Sequence, residues 1–365
     1  MVTNQKRGLH RLSLTLVTLA LFGWAAVASR ESIDEVLAYT PDARLLGLGF
    51  VSVLIGSLIT SCRWFILVRT SGLRLAFRDA ILLGFSANAL NSVIPGGVAG
   101  DVLRAARLHR MQPSGARVVA SIVMDRIVGL LGLCFLAGVS GCVMWPGSDR
   151  DVQLLVGVAW AASLVGCLGL ASCLTSVPYR GLGALLRGRV RAEALLADLE
   201  LTVATYRARP LSLISCLLLA MVSHALLVVA FYLVSRALFP VGPSFSTHFL
   251  IVPLVLFSTF VPLPFGALGL GELVSARLFL LSSHSNGAVA MMAFRLVLFA
   301  ADLIALIIYL GNSRRPGPLA CPLVLLHSPA LAGGAGDTNH DPVAYGAGST
   351  DGLRRSLDDV GRGVS

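Results

Sequence analysis

Charge is what this sequence has least of. Asp, Glu, Lys and Arg make up only 13% of its 365 residues, about half the roughly 25% carried by a soluble globular chain. So few charges cannot clothe a chain of this length in water. Hydrophobic residues reach 56% and the mean hydropathy is +0.81, so most of the surface is expected to face lipid.

Other absences narrow the function. No H-E-x-x-H, P-loop, G-x-S-x-G or G-x-G-x-x-G occurs, which removes the commonest hydrolase and nucleotide-binding signatures. The longest polar stretches are the segment near 178–210 and the residues after 312, so a soluble catalytic domain has no room. There is no C-x-x-C, and six of the seven cysteines (Cys62, Cys134, Cys142, Cys167, Cys173 and Cys216) lie within apolar runs. They read as small packing residues, without a disulfide or zinc framework. His224 and His248 stand alone in apolar runs and read as core residues, while His109 and His284 sit near loop ends. The chain is expected not to be an enzyme and to need no metal or cofactor.

Apolar runs of about 20 residues cross a hydrocarbon core of about 30 Å. Candidates are Leu12–Ser29, Leu45–Val68, Val118–Trp145, Leu154–Ser176, Leu211–Leu238 and Ala288–Gly311. Ala26-Val27-Ala28 resembles a signal-peptidase site, but the run before it is long for a cleaved leader and is expected to stay as a first helix. Two further stretches, Ala80–Ile94 and Phe249–Pro264, are short and each runs into a Pro/Gly cluster.

The net charge of +10 does not call for nucleic acid, because the arginines cluster between apolar runs as cytoplasmic loops do. Lys6, Arg7 and Arg11 place the amino terminus in the cytoplasm, with Arg69, Arg74, Arg78 and the arginines of 178–210 on the same side. Arg104, Arg107, Arg110 and Arg117 join them only if 80–110 enters and leaves from the cytoplasm as a re-entrant hairpin. Treating 249–283 likewise, from the outer face, keeps Arg314 and Arg315 inside. Non-helical backbone at membrane depth survives where protein or a water-filled cavity covers it. The expected fold is an all-α, polytopic transmembrane bundle with two broken-helix hairpins in an inverted repeat, a plan shared by many transporters. Its transmembrane domain spans 1–311, with half one about 44–145 and half two about 211–311, and 312–365 forms a disordered cytoplasmic tail.

The two hairpins resemble each other. The first reads Pro95-Gly96-Gly97-Val98-Ala99-Gly100-Asp101, followed by Arg107 and, in the next helix, Arg126; the second runs from Pro264 through Gly266, Gly269 and Gly271 to Glu272, followed by Arg277 and Arg295. Acid and helix arginine are separated by 25 and 23 positions. Ionisable residues within hydrocarbon persist where they pair or face a cavity, so Asp125, Arg126, Arg295 and Asp302 mark either interhelical salt bridges or a polar pathway. Glycine-rich turns ahead of a helix expose N–H groups suited to anions, or simply permit a tight turn. Asn88 and Asn91 add neutral donors and acceptors on the approach. Asp101, Arg104 and Arg107 share a helix face, as a headgroup site or as a cluster contacting anionic lipid.

Arg63-Trp64, the stretch from Asn88 through Asp101-Val102-Leu103-Arg104, Ser121 to Arg126-Ile127-Val128-Gly129, and Pro262-Leu263-Pro264 with Gly266, Gly269 and Glu272 together resemble the transmembrane region of lysylphosphatidylglycerol synthase, a family that also includes stand-alone flippase-like proteins. The resemblance covers about 10–311. It implies broken-helix membrane architecture acting on lipids or lipid-linked sugars. The aminoacyltransferase part of the two-part synthases is missing here, so lipid aminoacylation does not carry over. The first loop departs from the Gly-Gly-Asp that relatives often have.

The expected function is therefore a flippase-like protein of the bacterial cytoplasmic membrane that binds and translocates lipids or lipid-linked substrates, including polyprenyl-linked glycolipid. The expected substrate-binding set is Asn88, Asn91, Gly96, Gly97, Gly100, Asp101, Arg104, Arg126, Gly266, Gly269, Glu272 and Arg295. The alternative is a non-transporting partner of a membrane glycosyltransferase that presents a lipid-linked sugar.

Overall fold

The structure, a computed structural model, describes residues 16, 19–25, 27, 29–38, 40–93, 98–112, 115–144, 150–175, 190–261, 263 and 267–312. Part of the first expected span, both Pro/Gly clusters in part, and the tail beyond 312 lie outside these residues. They belong to one compact unit.

All regular structure among the described residues is helical. Eleven helices have defined bounds: α1 Arg30–Ala38, α2 Ala43–Thr70, α3 Phe77–Val93, α4 Ala99–Met111, α5 Gly115–Met144, α6 Arg150–Leu174, α7 Val190–Arg207, α8 Pro210–Leu238, α9 Phe245–Ser258, α10 Leu270–Leu280 and α11 Gly287–Asn312. Local chemistry sets several ends. Asp42 caps α2, accepting the N–H groups of Arg44 and Leu45 at 2.8 and 3.4 Å, and the helix stops before Gly72, whose φ of +84° suits glycine. Pro210 opens α8, where its missing N–H costs nothing. Ser244 caps α9 through the Thr247 N–H.

Five helices are long and apolar enough to cross a membrane: α2, α5, α6, α8 and α11. They coincide with five of the six expected spans. Their outward faces are apolar and exposed; α6 alone presents Leu154, Val158, Leu164, Val165 and Leu168. At 1.5 Å per residue, α3, α4, α9 and α10 are only about 16–26 Å long, too short for a core of about 30 Å.

The helices pack around one central pair. The largest interface joins α2 to α8. Gly49, Ser52 and Gly56 of α2 form its small-residue face, and methyl groups at Gly49 and Gly56 would each sit 3.3 Å from atoms of α8. Ser52 Oγ adds a hydrogen bond to the Leu226 carbonyl at 2.8 Å. Close approach and interhelical hydrogen bonding are what hold helices together in lipid. Around this pair, α3 packs on α4 and on α11, while α9 packs on α10 and on α5; α4 meets α5 as α10 meets α11. The core centres on Phe231 of α8, whose ring lies 5.1 Å from Phe294 and 5.9 Å from Phe279. Tyr206 ties α7 to α2 by donating to the Leu67 carbonyl at 3.0 Å.

Candidate functional site

Each short second helix opens on an acid, and each acid reaches an arginine of the following long helix. Asp101 lies in the first turn of α4; its Oδ2 accepts from Arg126 Nη2 at 2.7 Å and Nε at 3.0 Å. Glu272 lies in the first turn of α10; its Oε1 accepts from Arg295 Nε at 2.7 Å. The residues that the 25- and 23-residue spacings relate are thus in contact in both places, a pairing the spacing alone did not specify. The following basic residues diverge, since Arg107 is buried and Arg277 is exposed.

Half one carries an additional pair. Arg63 of α2 donates Nε to Asp125 Oδ1 of α5 at 2.9 Å, with both side chains 6% exposed. Arg104 of α4 sits between the two acids, with Nη1 3.5 Å from Asp125 and 3.9 Å from Asp101. Its guanidinium lies 4.9 Å over the Trp64 ring, a cation–π seat within apolar surroundings. Arg63, Asp125, Arg104, Asp101 and Arg126 therefore form one chain of alternating charge with a guanidinium at each end. Isolated charges would be expensive here, and alternation is what makes their burial tolerable.

Glycines give the guanidinium groups their space. A methyl at Gly129 would lie 3.3 Å from Arg63 Nη2, and one at Gly271 would lie 2.9 Å from Arg295 Nη2.

Two expected anion-binding N–H groups are already used inside the fold. The Gly100 N–H donates to Asn91 Oδ1 at 2.8 Å, and a methyl at Gly100 would overlap the Ala87 carbonyl where α3 and α4 touch. The Gly269 N–H donates to Glu272 Oε2 at 2.6 Å. Gly269 also holds φ at +83°, a region strained for any residue with a Cβ. In this fold both N–H groups thus have internal acceptors, and each glycine sits at a helix start. Gly96, Gly97 and Gly266 lie outside the described residues.

The two charged systems face a shared space. A cavity of about 710 Å³ is lined by Asn88, Asn91, Arg63, Arg104, Asp125, Arg126 and His224 on one side of the chain order, and by Glu272, Arg295 and Asp302 on the other. Phe260, Leu268, Met291, Leu296 and Phe299 supply apolar wall. The volume falls in the range of small-ligand sites, which are largely apolar with a few placed polar groups. Of the expected set, Asn88, Asn91, Arg104, Arg126, Glu272 and Arg295 line it; Asp101 stands behind Arg126, and Gly100 and Gly269 belong to the scaffold.

Sequence reasoning missed His224 and gave no role to Arg63. His224 Nε2 lies 3.1 Å from the Gly129 carbonyl, which can only accept. Its charge-free, isolated position in an apolar run gave no local signal. Arg63 appeared only within the family pattern, and its partner Asp125 is 62 positions away.

Long apolar helices with exposed faces around an ion-paired interior define a polytopic α-helical membrane protein with a polar cavity among its spans. The chain belongs to the lysylphosphatidylglycerol synthase TM region family, whose model matches residues 11–305. This is a family of membrane proteins linked to lipid handling. No curated protein matches the chain.

Proposed function

We propose that this protein is a flippase-like translocator that moves a lipid or lipid-linked substrate across the bacterial cytoplasmic membrane, without chemistry on the substrate. The observation that carries the reading is the cavity: ionisable groups from both halves line about 710 Å³ of shared space. A headgroup entering it exchanges water for fixed charges, while acyl or prenyl chains remain against the apolar wall.

The halves are read as an inverted repeat, about 44–145 and 211–311, with α3–α4 and α9–α10 as hairpins from opposite faces. Supporting this, exchanging α2 with α8, α3 with α9, α4 with α10 and α5 with α11 maps the principal helix contacts onto one another, and the acid–arginine pairs exchange with them. The orientation places the amino terminus and the tail after 312 in the cytoplasm. Asp101–Arg126 and Glu272–Arg295 then act as the two gates, Asn88 and Asn91 lining the passage between them.

The test is reconstitution of the full chain into vesicles with fluorescent lipids. Movement between leaflets that is lost in Arg126→Ala and Glu272→Ala is the expected result. Failure to move phospholipids and polyprenyl-linked sugars alike, with co-purification of a membrane glycosyltransferase, sinks the translocator reading in favour of the substrate-presenting partner.

A further inference from the structure

Not every polar atom of the cavity is satisfied. Arg63 Nη1, Arg104 Nε and His224 Nδ1 are buried without a hydrogen-bond partner among the described residues, and all three residues line the cavity. Arg63 and Arg104 are each 5% exposed. Buried polar groups in folded proteins nearly always find a partner, in protein, water or ligand.

The three atoms have defined characters. The guanidinium nitrogens are donors only. Because the Gly129 carbonyl accepts, His224 Nε2 is the donor to it and carries the proton of the neutral ring, leaving Nδ1 as an acceptor. Arg63 and His224 meet at the same residue: the guanidinium fills the space where Gly129 lacks a side chain, and the imidazole binds its carbonyl. Among the described residues, Asp125 is the only acid in salt-bridge range of Arg63, and Arg104 shares that same acid. Two guanidinium groups thus converge on one carboxylate beside a lone imidazole acceptor.

We infer that Arg63, Arg104 and His224 form an oxyanion subsite for a phosphate group, distinct from the glycine turns and from the two gating pairs. Arg63 Nη1 and Arg104 donate to phosphoryl oxygens, and His224 Nδ1 accepts from a hydroxyl on the same ligand. A phosphate monoester carries that hydroxyl itself when singly protonated. Arginine suits this task because its planar fork matches phosphate geometry. The site rests on the lipid-translocator reading for its route of access. The same chemistry is offered by a lipid phosphate and by free inorganic phosphate.

The experiment uses the full chain in maltoside detergent, which contains no phosphate, and native mass spectrometry. Dioleoyl phosphatidate is compared with dioleoylglycerol, and inorganic phosphate is added as a competitor. The expected result is at least tenfold preferential retention of phosphatidate, lost in Arg63→Gln and reduced severalfold in His224→Leu. Arg63→Gln leaves Asp125 with Arg104 alone, 3.5 Å away, so the double variant Arg63→Gln with Asp125→Asn, which removes both charges together, is measured beside it and is expected to fold and to lose the preference. Equal retention of the two lipids, or preference unchanged in the double variant, overturns the subsite. Displacement by inorganic phosphate at equal concentration supports the phosphate site and overturns a lipid as its source. Retention is read without transport, so a protein that binds phosphatidate but moves no lipid refutes the translocator alone.

Discussion

Glu272 has both carboxylate oxygens engaged within the fold: Oε1 holds Arg295 at 2.7 Å, and Oε2 holds the Gly269 N–H at 2.6 Å. It is wholly buried, and one side chain thereby joins the start of α10 to the middle of α11. Removing one member of such a buried pair leaves an uncompensated charge and costs about 3–5 kcal/mol. Glu272→Ala is expected to lower Tm in detergent sharply, and Glu272→Gln with Arg295→Gln to recover at least half of the loss. A double variant as unstable as Glu272→Ala contradicts the pairing.

Arg126 is in a different situation, with its side chain 39% exposed to the cavity. A pair open on one side is worth less than a wholly buried one, and Asp101 keeps Arg104 3.9 Å away. Arg126→Ala is therefore expected to shift Tm little while abolishing lipid movement in vesicles. Equal losses of stability for Arg126→Ala and Arg295→Ala would contradict this separation of roles.

Gly100 and Gly269 are expected to be structural. Gly100→Ala forces α3 and α4 apart at the Ala87 carbonyl, and overpacking of this kind costs about 1–3 kcal/mol. Gly269→Ala places a Cβ at a φ of +83°, a strain of about 1–2 kcal/mol. Both should reduce folded yield on size-exclusion chromatography. Lipid retention per folded molecule should stay near wild type; selective loss of retention at full yield would restore an anion-binding role.

Topology can be read by thiol labelling in a cysteine-free background. A cysteine at position 97 should react with impermeant maleimide in inside-out vesicles and not in spheroplasts. Labelling from the outer face alone removes the cytoplasmic hairpin, and with it the opposed orientation of the halves.

Much of this was legible in the sequence where the signal was local. The five spans follow from uninterrupted apolar runs, which lipid demands and water does not. The repeated spacing of 101 to 126 and of 272 to 295 was visible, but that acid and arginine touch is a finding of the structure. What escaped was tertiary. Nothing near Arg63 announces Asp125, because the contact depends on α2 and α5 lying side by side. The internal acceptor of the Gly100 N–H was not foreseen, because Asn91 belongs to the preceding helix and reaches it only once α3 and α4 fold back on one another. His224 was passed over as a core residue because a single histidine among leucines looks the same whether it faces a neighbour or a cavity.

The seats of the arginines carry a consequence for how this sequence can drift. The guanidinium groups of Arg63 and Arg295 rest where Gly129 and Gly271 have no side chain, so even alanine at either position pushes a guanidinium away from where it meets its acid. Leu164, Val165 and Leu168, turned outward on α6, can exchange freely for any apolar residue that lipid accepts. In a saturation mutagenesis of the whole chain selected for function, the least replaceable positions are expected to include two residues with no chemistry at all. The tolerant ones are the large hydrophobics that make up most of the sequence.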